Sequence, residues 1–275
     1  MKRYSVSDGR SIPFKTGSQT RAGFLDETRG FCIILMVLYH TAFNVIYIFG
    51  WDITLTDGTR LLYFLFNSPV LRFAQPFVAG IFIFISGIVC RYSRSNLKRG
   101  LIALALGFAI TAFTFYFMPE QAIFFGILHF LGSSMILFAI LRRTLDKIPP
   151  SLGLFICLIL FALTLGIRWG FAGVPGLLTL YFPASWAQIG WLIPLGFAAA
   201  GADHFPLLPW LFLFLAGSYL GVAFISRDMP YFFYRNRSRF LATVGRRAII
   251  IYVLHQPVVF GVLYGISLIV LRFSG

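Results

Sequence analysis

The sequence predicts an all-α fold, a polytopic bundle of about seven transmembrane helices with the N-terminus on the cytoplasmic side. Three observations carry this. Of 275 residues, 59% are apolar, 18% aromatic and only 12% charged, where a soluble domain averages about a quarter charged. Apolar runs of about 20 residues, long enough to span a bilayer, recur along the chain. Nineteen of the 23 Lys and Arg residues fall in four clusters between those runs. Hydrocarbon offers backbone polar groups no water, so only helices or closed barrels cross it. The runs lack the period-2 alternation of barrel strands.

Residues 1–23 are polar and basic and read as a cytoplasmic segment ahead of one transmembrane domain, 24–275, which no polar linker divides. The run at 24–49 is too long for a signal-peptide core and reads as an uncleaved first span. Further spans are expected at 73–90, 100–118, 122–141, 151–169, 207–225 and 248–271. The basic clusters are centred on Lys2–Arg29, Arg91–Arg99, Arg142–Lys147 and Arg227–Arg247. Short basic segments stay on the cytoplasmic side, so an even number of spans separates each pair. Between the third and fourth clusters lie three apolar stretches, and parity removes one. The weakest is 187–200, short and broken by Pro194 and Gly196, which reads as an outer re-entrant or interfacial segment. If it crosses, the spans number eight. With seven spans the outer loops hold Asp52, Asp57, Glu120 and Asp203. The net charge of +14 belongs to this membrane pattern and not to nucleic-acid binding. Cys32, Cys90 and Cys157 sit within apolar runs without metal-ligand spacing; they read as core residues, and no metal is expected. No internal repeat is visible.

Polar residues inside spans are the functional candidates, because they are costly there and face the bundle interior or a cavity. Arg29 and His40 are eleven residues apart, almost three helical turns, so they share a face. Along the axis they stand about 16 Å apart. Asn44 and Tyr47 continue that polar stripe outward. The plain alternative is an Arg snorkelling to the interface and a bundle histidine with a local partner. His129 shares its face with Gly126, Gly132 and Ser133, which lets a neighbouring helix approach; it reads equally as a packing residue. Pro257 cannot donate to the carbonyl of Val253, so the last span loosens there, and His255 with Gln256 stands at the break. Asp203 sits just before the sixth span, either orienting a histidine or capping the helix, with His204 beside it. Arg72 is an anion-binding group or a helix-end anchor. Arg91, Arg94, Lys98 and Arg99 form a loop that can hold phosphates, although any cytoplasmic loop of a membrane protein is basic.

Several strings together carry a resemblance: "DETRGFCIILMVLYH", "IFIFISGIVCRYSRSNLKRG", "FFGILHFLGSS", "HFPLLPWLFLFLAGSYLG" and "VGRRAIIIYVLHQPVVFG". The sequence resembles the heparan-alpha-glucosaminide N-acetyltransferase catalytic-domain family, in its short bacterial form. The Arg-x10-His pattern of Arg29 and His40 is also similar to that of acyltransferase-3 membrane enzymes. The resemblance implies an acyltransferase that passes acetyl from cytoplasmic acetyl-CoA to an amino sugar or other glycan acceptor across the membrane, here the bacterial plasma membrane. In that family a key histidine lies in the loop after the first span. Here that loop, "GWDITLTDG", has none, and the expectation moves to His40 on the acyltransferase-3-like pattern. His40, as base or transient acyl carrier, is expected to act with Asn44, His129 and Asp203. Arg29, Arg91, Arg94, Lys98, Arg99, His255 and Gln256 are expected to hold CoA, and Tyr47, Arg72 and His204 the acceptor. The bilayer is the expected partner, with a homodimer left open. The competing class is a transporter or flippase without covalent chemistry, for which 187–200 and Pro257 would mark broken helices.

Overall fold

The computed structural model describes residues 22–93, 95–198 and 201–274. Among them, seven helices are long and apolar enough to cross a membrane. They are α1 (Gly23–Phe43, continued by a π-helical turn Asn44–Ile48), α3 (Pro69–Tyr92), α4 (Asn96–Phe117), α5 (Ile127–Leu145), α6 (Pro150–Thr164, continued by a 3-10 turn Leu165–Trp169), α7 (Leu207–Ser226) and α9 (Ala248–Ser274). Two short helices, α2 (Leu61–Phe66) and α8 (Arg239–Arg246), lie between spans.

Among the described residues, 187–198 forms no helix long enough to cross. Two 3-10 turns, Ala184–Gln188 and Gly190–Leu195, occupy this region, and the second ends at Gly196 with φ +101°. Pro194 and a left-handed glycine stop a helix here, in keeping with seven spans. The helix starts also have local causes. Pro69 and Pro150 enter at first-turn positions, where a missing N–H costs nothing. Asp52 takes the Leu62 and Tyr63 N–H groups at 2.8 and 3.1 Å and so caps α2. The fourth span runs deeper than its apolar run because Arg142 and Arg143 fall in its last turn, where cations suit the helix dipole. The expected break at Pro257 is absent: α9 is one helix through that residue. An antiparallel hairpin, β1 (Phe171–Val174) with β2 (Leu178–Tyr181), follows α6 and was not expected from the sequence.

The core runs between α3, α5 and α7, where Ile83, Phe130, Phe138 and Phe214 are fully enclosed. A second cluster joins α1 to α3 and α7 through Leu25, Ile85, Ile88 and Phe224. Glycines set the helix separations. A Cβ on Gly87 would collide with the Phe214 carbonyl, and one on Gly217 with the Phe84 carbonyl, so α3 and α7 touch backbone to backbone. Gly30 of α1 and Gly245 of α8 meet in the same way. Glu27 caps α8 by accepting the N–H groups of Arg237 and Ser238. By contrast, α9 is exposed along most of its length, and its neighbours are α1 and α8. The three cysteines are buried and unpaired.

Candidate functional site

Local helix geometry delivers His40 to the last turn of α1, and the backbone then widens into the π turn beginning at Asn44, where the Phe49 N–H bonds the Asn44 carbonyl at 2.9 Å. Single π turns interrupting a helix recur at functional sites. Two polar bonds cross from this stretch to α9. His40 Nδ1 lies 3.1 Å from His255 Nε2, and Asn44 Nδ2 donates to Gln256 Oε1 at 2.9 Å. Asn44 and His255 are buried and His40 is half-buried.

The bonds fix the tautomers. His255 Nδ1 lies 2.6 Å from the Tyr252 carbonyl, which can only accept, so that nitrogen carries a proton. In neutral His255, Nε2 is then the acceptor, and His40 must donate to it from Nδ1. The Met36 sulfur, 3.0 Å from the same nitrogen, is a weak second acceptor. His40 Nε2 therefore holds a lone pair, and none of the described residues bonds it.

Behind the pair stands Asp203. Its Oδ2 accepts the Tyr252 hydroxyl at 2.7 Å, and its carboxylate also takes the Ile127 N–H at the start of α5. Its φ of +50° is left-handed, a conformation Asp tolerates better than most residues. Burial raises its pKa to about 6, against the lowering pull of these two bonds and of His255 and His204. His204 itself gives Nε2 to the Ile193 carbonyl at 3.1 Å.

His129 has a different setting. It is 1% exposed, its Nδ1 accepts the Gly126 N–H at 3.2 Å, and its Nε2 lies 3.2 Å from the Thr111 hydroxyl, which bonds the Ile123 carbonyl. Both ring nitrogens are used in closing the start of α5 against α4. Tyr47 is exposed, and its hydroxyl accepts from Asn67 at 2.7 Å. Arg72 is exposed in the first turn of α3.

The basic candidates gather at the other end of α1. Arg29, Arg91 and Arg99 all act electrostatically on Cys90 near the end of α3. Arg29 stands over the Phe82 ring at 5.8 Å. Arg91 is buried: it pairs with Asp146, donates to the Ser218 carbonyl at 2.7 Å and covers the rings of Phe138 and Tyr219. That placement makes it a tie between α3, the end of α5 and α7. Arg99 lines a cavity of about 320 Å³ with Asp26, Tyr92 and Ser93, and Lys98 is exposed beside it. The Tyr92 hydroxyl in the cavity lining, and Asn96 Oδ1 in the first turn of α4, are buried without a hydrogen-bond partner among the described residues. Arg94 lies outside the described residues.

The structure thus joins His40, Asn44, His255, Gln256 and Asp203, with Tyr252 as the link. His129 stands beside this group through Gly126, which packs close to Asp203 and gives its N–H to His129 Nδ1. Sequence reasoning missed Tyr252. Its spacing of three and four residues before His255 and Gln256 puts it on their side of α9, which was the available signal.

A family model described as "Heparan-alpha-glucosaminide N-acetyltransferase, catalytic" matches residues 21–257, from the start of α1 to Pro257 in α9. Comparison with curated proteins and with solved structures finds no match.

Proposed function

The chain belongs to the heparan-alpha-glucosaminide N-acetyltransferase catalytic-domain family, and on that premise we propose that it moves an acetyl group from cytoplasmic acetyl-CoA to an amino sugar or other glycan on the far side of a bacterial plasma membrane. The observation that carries the reading is the histidine pair: His40 keeps a lone pair on Nε2 while His255 holds the other nitrogen. In the transfer, the acceptor nitrogen or oxygen attacks the thioester carbonyl, His40 Nε2 takes its proton, the C–S bond breaks, and the CoA sulfur leaves and is protonated. In the two-step variant, Nε2 itself attacks and carries the acetyl group before the acceptor displaces it. Asn44 has a second amide N–H beyond the one given to Gln256, suited to the carbonyl oxyanion.

Arg29, Lys98 and Arg99, with the cavity that Arg99 lines between α1, α3 and α4, support phosphate binding on the cytoplasmic side. Arg91 contributes by holding that end together, and Arg94 and Gln256 remain candidates for CoA contact. Tyr47, His204 and Arg72 are the acceptor-side candidates. The roughly 16 Å between Arg29 and His40 along the helix separates a phosphate site from a thioester site, as an extended donor requires.

The test is acetyl-CoA binding and CoA release by purified protein in detergent, wild type beside His40→Ala. The expected outcome is saturable binding by both, with release lowered by about 10²-fold or more in the variant, the usual scale for a lost base. Near-normal turnover in His40→Ala would remove His40 from the chemistry. No binding by folded wild type at millimolar donor would move the reading to transport without covalent chemistry.

A further inference from the structure

We infer that His255, Tyr252 and Asp203 form a proton relay behind His40, in which His255 takes the Nδ1 proton of His40 and Tyr252 and Asp203 are its positioning residues. This rests on the acyl-transfer reading above and goes beyond it by assigning His255 to the proton's path, where the sequence had suggested donor binding.

The bonding order defines the path. His40 Nδ1 donates to His255 Nε2 at 3.1 Å, and His255 Nδ1 donates to the Tyr252 carbonyl at 2.6 Å. When His40 Nε2 takes the acceptor's proton, its Nδ1 proton can cross to the His255 lone pair. His40 is then neutral again, as the Nε2–H tautomer, and His255 is the imidazolium with both N–H groups already bonded. The proton returns by the reverse path to the departing CoA sulfur, so atoms and charge balance without another reactant. The site never has to hold its cation on the ring beside the reacting carbonyl.

The cation at His255 has a counter-charge. Asp203 is the carboxylate that acts on it electrostatically. The groups facing Asp203 are the Tyr252 hydroxyl from α9, the Ile127 N–H from α5, and His204 and His255. The need for positioning follows from packing. Since α9 is exposed along most of its length, its rotation depends on few ties: His40 to His255, Asn44 to Gln256, and Asp203 to Tyr252. The last ties α9 to the loop before α7, outside the α1–α8 side, and it sits one turn from His255.

The experiment measures CoA release against pH for wild type, His40→Ala, His255→Gln, Tyr252→Phe and Asp203→Asn, with acetyl-CoA as the donor. Gln at 255 can still accept from His40 but cannot take a proton. The relay predicts that His255→Gln lowers kcat by about 10²-fold with KM for acetyl-CoA unchanged, the scale of general acid–base catalysis. It also predicts an acid limb near pH 6 in wild type. Asp203→Asn should run slowly and without that limb, and Tyr252→Phe should lower kcat with the limb displaced. If His255→Gln turns over within twofold of wild type while His40→Ala is dead, the relay is wrong and the acyl-transfer reading stands. If His40→Ala is as active as wild type, that reading itself falls. Should His255→Gln not fold, Tyr252→Phe decides, since it deletes one hydroxyl: an unchanged kcat and limb overturns the relay.

Discussion

Asp203 shows how a single side chain can be stabilising in one protonation state and useful in the other. Burial lifts its carboxyl from the ordinary 3.8 to about 6, so the native state holds a proton that the unfolded chain releases. Its contribution to stability is therefore full below about pH 3.8 and is lost as pH rises through about 6. The relay needs the ionised form, which is the less stable one, a trade common at active sites. Asp203→Asn keeps an oxygen for the Tyr252 hydroxyl and cannot ionise. Its melting temperature in detergent is expected to fall behind or equal wild type at pH 4 and to gain on it between pH 4 and 7. A wild type that gains on the variant over that interval would mean that the α5 N-terminus outweighs burial. His129 makes the complementary point. The sequence could place it on a glycine-rich face, but not reveal that both of its nitrogens are occupied by Gly126 and Thr111, since those partners depend on a loop fold between α4 and α5.

At the scale of elements, close backbone contact does the work that a hydrophobic driving force does in water. Lipid tails are as apolar as the helix surfaces, so helices associate through packing and hydrogen bonds. Gly87 and Gly217 let α3 and α7 approach until each backbone touches the other. Gly217→Val is expected to force them apart at a cost of about 1–3 kcal/mol, the range for overpacked cores. The check is the thermal midpoint in detergent, beside Gly261→Val on α9, where nothing lies within 4 Å of a new Cβ and no loss is expected. Equal effects at the two sites would show that helix propensity, not the α3–α7 contact, sets the cost. Elements of this kind were legible because their cause is local: apolar length gives the spans, and Pro194 with Gly196 stops 187–200. The hairpin at 171–181 was not, since four-residue strands leave too little periodicity to read. Nor was the unbroken α9, because a proline bars only its own hydrogen bond and the rest of the helix can continue around it.

For the whole molecule, the functional reading depends on sidedness. The same regularity that made Arg29, His40 and Asn44 readable as one stripe hid their partners, because His255 and Gln256 lie more than 200 residues away and only the bundle's closure brings them near. The stripe joins a basic end to a histidine pair, and two-sided transfer requires the basic end to face the acetyl-CoA pool. From the distribution of Lys and Arg we propose that orientation, with the N-terminus inside. Single cysteines test it. Asp57→Cys, in the exposed loop after α1, should react with a membrane-impermeant maleimide on intact cells, and Lys147→Cys, in the turn between α5 and α6, only after permeabilisation. The native cysteines are buried and should give little background. The reverse pattern would put Arg29 and Arg99 on the outer face, away from cytoplasmic acetyl-CoA. The histidine pair could then still do acyl chemistry, but with a donor and acceptor exchanged across the membrane, so labelling tests the direction of transfer independently of its mechanism.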